Sequence, residues 1–288
     1  MQRYRWPSEG ARLHASPFLK WAGGKTQLIS ELDSEIPPFS RYFEPFLGGG
    51  ALFFHLASSR LPFTAYLSDA NAELVSAYQT VKGDVRALIS ALERHQRGYL
   101  KEPERYYYSL RNSSPLGRLQ KAARLIALNK TCYNGLYRVN RDGAFNVPMG
   151  RYANPTICNR DLLENASEAL NVTKARVRAG DYKRVLQEAG EGDFVYLDPP
   201  FVPLSRTANF VDYTEGGFSE KDQVELARTF RELDGKKCRV LLSNSDTELT
   251  RMLYGEFSCR PARVARAISC KSNTRSGYTE LIIRNYSL

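Results

Sequence analysis

Phe194-Val195-Tyr196-Leu197-Asp198-Pro199-Pro200-Phe201 is the stretch on which the reading of this chain turns. Its first four residues are apolar, two aromatic and one β-branched, in a run too short for a helix, which predicts a buried strand. Two prolines then stiffen a turn at the strand's C-terminal end, the place where open α/β sheets bind their ligands. Asp198 supplies acceptor oxygens, the Pro199 carbonyl is a further acceptor, Pro200 restrains the turn, and Phe201 offers a flat apolar face. An aromatic amine with two hydrogens calls for such a set: two acceptors to hold it and a ring to stack on its base. As a lone tetrapeptide the same residues make an ordinary Asp-Pro turn, so the surroundings decide.

Working outward, strands alternate with helices on both sides. Upstream, Arg41 to Phe46 reads as a strand, Leu47 to Gly50 as a glycine turn, Ala51 to Ala57 as a helix start, and Phe63 to Leu67 as a strand ending at Asp69. Downstream, Ser219 and Asp222 form a capping-box start for a helix through Val224, Ala227, Phe230 and Leu233. A strand at Arg239 to Ser243, a short helix near Thr247 to Tyr254 and a strand at Leu281 to Ile283 follow. The pattern predicts an α/β fold with a parallel or mixed sheet. Between Asn71 and Asn129 helical spacing dominates, and from Thr131 to Pro155 Gly, Asn, Tyr and Pro take over as a long loop or hairpin. The expected division is a discontinuous cofactor-binding catalytic domain over 17–80 and 165–288, an inserted helical and loop domain over 81–164, and a loose tail over 1–16.

Phe46-x-Gly48-x-Gly50 after a strand lets backbone approach a ligand closely, and Asp69, 19 residues beyond Gly50, stands where a carboxylate can bind a ribose diol. These residues alone fit NAD, S-adenosylmethionine or a plain tight turn, and Phe53 occupies the position of the third glycine of a dinucleotide fingerprint. Gly24-Lys25-Thr26 suggests a P-loop, but Leu19 stands where that motif's first glycine belongs and no buried strand precedes it.

Charge points to nucleic acid. The chain has 41 basic and 31 acidic residues, a net +10. Nine Lys/Arg and a single acid, Asp142, lie between Arg111 and Arg160, and an acid-free run from Ser258 to Tyr278 carries Arg260, Arg263, Arg266, Lys271 and Arg275. Within the first block Arg118, Lys121 and Arg124 recur three apart on one helix face, apart from the apolar Leu119, Ala122, Leu125 and Ile126. Such clustering is the footprint of a phosphate-tracking surface, against the alternative of a merely basic solvated one. Cys132, Cys158, Cys238, Cys259 and Cys270 are scattered and odd in number, which fits a reducing, cytoplasmic setting. His14, His55 and His95 are isolated, so no metal cluster is expected, and Met1 to Ser16 has no apolar run for a signal peptide or membrane anchor.

With these motifs in place the chain resembles a family. Phe18-Leu19-Lys20-Trp21-Ala22-Gly23-Gly24-Lys25, Phe43-Glu44-Pro45-Phe46-x-Gly48-Gly49-Gly50, Asp69-x-Asn71 and Asp198-Pro199-Pro200-Phe201 occur in the order of Dam-type DNA adenine methylases, the alpha arrangement of the D12 class. The likeness continues through Tyr133-Asn134-Gly135-Leu136-Tyr137-Arg138-Val139-Asn140, Gly143-x-Phe145-Asn146-Val147-Pro148-x-Gly150-Arg151-Tyr152 and Leu242-Ser243-Asn244-Ser245-Asp246. It departs at Phe201, where better-known members have Tyr; both are flat stacking faces.

The resemblance implies a Rossmann-like methyltransferase sheet with an inserted target-recognition domain. It also implies S-adenosylmethionine as methyl donor, double-stranded DNA as partner with no obligate protein partner, and methylation of the adenine N6 amine after base flipping. Trp21, Lys25, Asp69 and Asp198 are implied to line the cofactor pocket, and Asp181 to meet the cofactor's adenine amine. Members specific for GATC carry the same side chains as Lys20, Tyr133, Asn134, Leu136, Arg138 and Pro148, which implies that target. Three other readings compete: an amine methyltransferase acting on cytosine, RNA or protein glutamine, a NAD-dependent oxidoreductase, and a DNA-binding protein without catalysis. Asp rather than Ser before Pro-Pro disfavours cytosine; the oxidoreductase leaves the Pro-Pro-Phe turn unexplained; the intact tetrapeptide speaks against loss of catalysis.

Overall fold

The computed structural model describes residues 13–201, 218–264 and 278–288. After a 3-10 turn at Lys25–Leu28, the elements in chain order are α1 (Ile29–Asp33), β1 (Arg41–Glu44), α2 (Ala51–Ser59), β2 (Thr64–Asp69), α3 (Ala72–Lys101), α4 (Pro103–Asn112) and α5 (Arg118–Thr131). There follow α6 (Arg160–Val172), β3 (Arg176–Ala179), α7 (Tyr182–Leu186), β4 (Phe194–Leu197), α8 (Glu220–Gly235), β5 (Arg239–Ser245), α9 (Glu248–Tyr254), β6 (Ser258–Val264) and β7 (Tyr278–Arg284).

The strands form one seven-stranded sheet in the order β3-β2-β1-β4-β5-β7-β6. β4 pairs in parallel with β1 and β5, and β7 is antiparallel to both β5 and β6. The chain winds outward from β1 through β2 to β3, then returns to lay β4 on the other side of β1. That reversal is the topological switch point at which such sheets open a ligand crevice. The decisive stretch is therefore the central strand, and all four of its residues are buried.

Two strands escaped the sequence reading for a physical reason. β3 and β6 are the edges of the sheet, and edge strands carry charge and proline where central ones cannot. β3 buries only Val177 between exposed arginines at 176 and 178, and β6 contains Pro261. Elsewhere local signals hold: Ser219 and Asp222 form the reciprocal capping box that opens α8.

The chain divides into two compact units. One takes in the chain through Gly24, Gly48–Thr64 and Asn71–Val177; the other comprises Lys25–Leu47, Ala65–Ala70 and Arg178–Leu288. The second unit carries the sheet, with Phe43, Val195, Leu197, Val240, Leu242 and Ile283 packed against Leu226, Ala227 and Phe230 of α8 and Tyr254 of α9. In the first unit α3 packs on α4, α5 and α6. This helical unit is larger than the segment 81–164, because Phe18, Phe54 of α2 and Tyr78 of α3 form an aromatic cluster, with Phe18 and Tyr78 rings 4.8 Å apart. α3 loses helical geometry at Asp84. Among the described residues no helix is long and apolar enough to cross a membrane, and no group of three or more His, Cys, Asp or Glu could hold a metal.

Candidate active site and nucleic-acid interface

The Asp198 turn follows directly from the buried end of β4. Lys25 Nζ stands 2.7 Å from Asp198 Oδ1, and Ser243 Oγ donates to the same oxygen at 3.0 Å. Lys25 Nζ also lies over the Phe201 ring, 4.2 Å from its centroid, and 3.9 Å from Glu280 of β7. Burial pushes the Asp198 carboxyl above its ordinary range, while the Lys25 charge and the hydrogen bonds from Lys25 and Ser243 pull it back. Both donors converge on Oδ1, which leaves Oδ2 as the acceptor available to a ligand amine. At the other end of the turn, Gln223 donates to the Pro200 carbonyl at 3.0 Å.

Other sequence-chosen residues of the same unit sit at strand ends. Asp69 closes β2, and its carbonyl accepts from Gly180 N at 3.0 Å, which ties it to the residues just after β3. Asp181 is exposed and caps α7, its Oδ1 accepting from Lys183 N at 2.8 Å. Phe46, two residues after β1, packs on Tyr182 with ring centroids 5.1 Å apart. Three carboxylates and an aromatic face thus follow β1, β2, β3 and β4. Carboxylates there accept hydrogen bonds from hydroxyls and amines and favour positive charge.

In the helical unit Trp21 and the glycine turn are in contact. A Cβ on Gly48, at φ +48°, would stand 3.0 Å from Trp21 Cδ1, so the ring's approach requires glycine there. Gly50, also left-handed, is the N-cap of α2. Trp21 stacks on Tyr137, centroids 5.3 Å apart.

The same unit gathers the six residues expected to read bases. Residues 132–149 form a loose hairpin: Cys132 bridges Met149, Val139 bridges Phe145, Tyr133 N donates to the Pro148 carbonyl at 2.9 Å and Gly150 N to the Thr131 carbonyl at 2.8 Å. Tyr133, Asn134, Arg138 and Pro148 are exposed on it, Leu136 is half-buried, and Asn134 adopts a left-handed conformation. Arg138 Nε donates to Asn146 Oδ1 at 2.6 Å across the hairpin. Lys20 is drawn to its base by Asn129, whose side chain bonds Lys20 N at 2.9 Å, the Lys20 carbonyl at 2.7 Å and the Gly135 carbonyl at 2.9 Å. Lys20 Nζ rests over the Tyr152 ring at 4.9 Å.

The basic blocks are less uniform than their spacing suggests. On α5, Lys121 is exposed and Arg118 pairs with Asp84 at 2.9 Å, both half exposed. Arg124 instead turns inward: it donates to the carbonyls of Leu110 and Arg111 at the end of α4, at 3.1 and 2.6 Å. In the second block Arg260 bonds Glu31 and Glu35 at 2.7 and 2.8 Å, an ion-pair cluster internal to its unit. Arg266, Lys271, Arg275 and Cys270 lie outside the described residues, as do residues 1–12.

Sequence reasoning passed over Asn129, Asn146, Gln223, Ser243 and Asn244 as agents in their own right. Asn146, Ser243 and Asn244 lie in stretches that carry the resemblance without an assigned role, and an amide directly after an apolar helical run, Asn129 after Leu125–Leu128, is the further signal.

A family model described as D12 class N6 adenine-specific DNA methyltransferase matches residues 21–268. The chain is 43% identical over 282 residues to Type II methyltransferase M1.LlaDCHI of Lactococcus lactis subsp. cremoris, covering 96% of this chain and 97% of that one. It is 39% identical over 291 residues to Type II methyltransferase M.MjaIII of Methanocaldococcus jannaschii, covering 95% of this chain and 100% of the other. To the DNA adenine methylase of Escherichia coli (strain K12) it is 35% identical over 271 residues, with 92% and 93% covered. The fold, the acceptor-bearing turn and a match running through most of the chain lead to one conclusion: this chain belongs to the D12 class of N6 adenine-specific DNA methyltransferases.

Proposed function

We propose that the enzyme uses S-adenosylmethionine to methylate the adenine of GATC in double-stranded DNA, in the cytoplasm, after rotating that adenine out of the helix. The observation that carries this reading is the Asp198 turn, with one carboxylate oxygen held by Lys25 and Ser243 and an aromatic face beside it. A stacked, paired adenine cannot reach such a turn inside a duplex, so the nucleotide has to be extruded. Phe201 then stacks on the base, a contact worth about 1–3 kcal/mol. Asp198 Oδ2 and the Pro199 carbonyl accept the two amine hydrogens and aim the nitrogen lone pair. The residues proposed for the cofactor are Trp21, Lys25, Phe46, Gly48, Gly50, Asp69, Asp181 and Asp198. When bound, S-adenosylmethionine supplies an electrophilic methyl carbon. The Asp198 carboxylate would stabilise the positive charge that grows on nitrogen as it takes the methyl group and the cofactor leaves as a neutral thioether, and the surplus N6 proton would pass to Asp198 Oδ2 or to solvent.

Recognition falls to the hairpin and Lys20. Arg138, already held at Nε and Nη2 by Asn146, presents the outer edge of its guanidinium to a guanine's O6 and N7, a pairing worth about 1–3 kcal/mol of discrimination. Lys20 reads the other guanine, Tyr133 and Asn134 wedge into the stack, and Leu136 and Pro148 shape the loop. Arg118 and Lys121 meet phosphates, whereas Arg124 joins α4 to α5. The test is transfer of labelled methyl to duplexes carrying GATC or a single-base change at each of its positions, followed by nucleoside analysis. Label is expected in N6-methyladenine of GATC; equal labelling of every variant overturns the target assignment. A rise in fluorescence when 2-aminopurine replaces the target adenine reports extrusion, and no rise overturns it.

A further inference from the structure

Taking the Asp198 turn as the reacting site, we infer that Ser243, Asn244 and Gln223 are positioning residues that clamp the turn at both ends from opposite faces of β5. β5 lies parallel beside β4, with Leu242 in register with Leu197, so Ser243 and Asn244 come alongside the point where the turn begins. Consecutive strand residues point to opposite faces. On one face, the Ser243 hydroxyl donates to Asp198 Oδ1, so the 2.9 Å contact between Ser243 and Tyr196 has the Tyr196 hydroxyl as donor. On the other, Asn244 donates to Gln223 Oε1 at 3.0 Å, and Gln223 donates to the Pro200 carbonyl at 3.0 Å. Ser245 N, donating to Asn244 Oδ1 at 2.8 Å, sets the orientation of that amide.

Ser243, Asn244, Gln223 and Tyr196 are all buried, in a sheet and helix whose neighbouring positions are apolar. Polar groups at such positions cost stability unless each is satisfied. Here each is satisfied by a bond leading to the turn. The Pro199 carbonyl lies between the two anchored points, and the fixed φ of the prolines leaves little slack. One rotamer of Asp198 and one height of the Pro200 carbonyl together place both amine acceptors. A displacement of about 1 Å in such a group costs about a hundredfold in rate.

The experiment compares Ser243→Ala, Ser243→Thr, Gln223→Met and Asp198→Ala in the full chain. It measures single-turnover methyl transfer to duplex DNA, dissociation constants for S-adenosylmethionine and DNA, and the melting midpoint. Ser243→Ala and Gln223→Met are expected to lose about ten- to a hundredfold in rate constant with both affinities within about twofold. Ser243→Thr restores the rate. The acid limb of the rate profile moves to higher pH in Ser243→Ala, because a bond that favours ionised Asp198 is gone, and stays in place in Gln223→Met. Unchanged rates in both variants overturn the clamp, as does a loss in Ser243→Ala that vanishes once temperature is lowered to match melting midpoints. If Gln223→Met does not fold, Asn244→Asp removes the donor that holds the Gln223 amide in orientation, with little change of shape. Full activity in Asp198→Ala sinks the site itself; an inactive Asp198→Ala beside unaffected Ser243→Ala and Gln223→Met sinks only the clamp.

Discussion

The Asp198 turn and the 132–149 hairpin differ in how their polar side chains are held. Around the turn, the partners Lys25, Ser243, Gln223 and Asn244 are buried, and each has a bond that leads to Asp198 Oδ1 or the Pro200 carbonyl. On the hairpin the side chains themselves are exposed, Tyr133 at 45%, and the buried anchor, Asn129, grips only main chain at the base. A reacting group has to be correct to a fraction of an ångström. A base reader has to reach, and even Arg138, held at its inner edge by Asn146, stays exposed. Buried partners are therefore concentrated at the turn proposed to react, and exposed side chains on the hairpin proposed to read bases.

The largest way to break this contrast is Asp198→Ala. Methyl transfer should fall by about a thousandfold or more, while retention on DNA stays close to that of the native enzyme; parallel loss of both would show that the two regions do not divide the work. Next comes Arg138→Ala, which should lose about five- to a hundredfold of discrimination at one guanine of GATC and still methylate DNA. Phe201→Tyr belongs with these as a control: it keeps the stacking face and should stay active, whereas Phe201→Ala should not.

A third test uses pH. Ionised Asp198 is the accepting form, and burial raises its carboxyl above the ordinary range, so the rate should fall as pH drops through that raised value. Lys25→Met removes the main group holding it down and should move the acid limb further up. An acid limb left where it was would refute the coupling.

Salt sharpens the comparison within the basic block. Neutralising Arg118 and Lys121 together should reduce the slope of log affinity against log salt by about 0.9 for each phosphate that no longer has a cation beside it. Arg124→Gln should leave that slope alone and lower stability by about 1–3 kcal/mol, because two carbonyls at the end of α4 are left without their donor. The smallest effect concerns Lys130, held down to about 8 by burial and then by the charge of Lys20. With a folded value below the unfolded one, stability rises as pH climbs from about 8 toward the ordinary lysine range. Lys130→Met should flatten that rise in denaturant titrations.

How much of this was legible in the sequence follows from where each signal resides. β4 and its Asp-Pro-Pro-Phe turn were readable because a central strand is apolar throughout and proline marks its end. The capping box of α8 was readable because both partners lie within one turn of helix. β3 and β6 were not, since edge strands share the basic, proline-tolerant composition of loops. Spacing placed Arg124 beside Arg118 and Lys121, but a three-residue step advances only about 300° around the helix, and the side chain swings inward toward α4. Arg260 sits in an acid-free run yet finds Glu31 and Glu35 more than two hundred positions away in the chain. Ser243 and Asn244 lie in a stretch that carries the resemblance, but their chemistry and that of Gln223 was not legible, because strand pairing and helix packing rather than proximity in sequence bring their partners to them.

The closure of the hairpin has a consequence for changing what the enzyme reads. The chain passes repeatedly between its two units, so neither can be lifted out as one continuous piece. The hairpin can be. Its two ends are a hydrogen bond apart, Tyr133 to Pro148 and Gly150 to Thr131, and an exposed segment whose ends meet can be replaced without redirecting the chain on either side. The exposed positions within 132–149 are thus a natural cassette for grafting, with Asn129 and Lys20 as the socket and the buried Cys132, Phe145 and Val147 and the Trp21-stacked Tyr137 kept. Gly135 has to travel with any graft, since a Cβ there would stand 2.5 Å from that of Lys20.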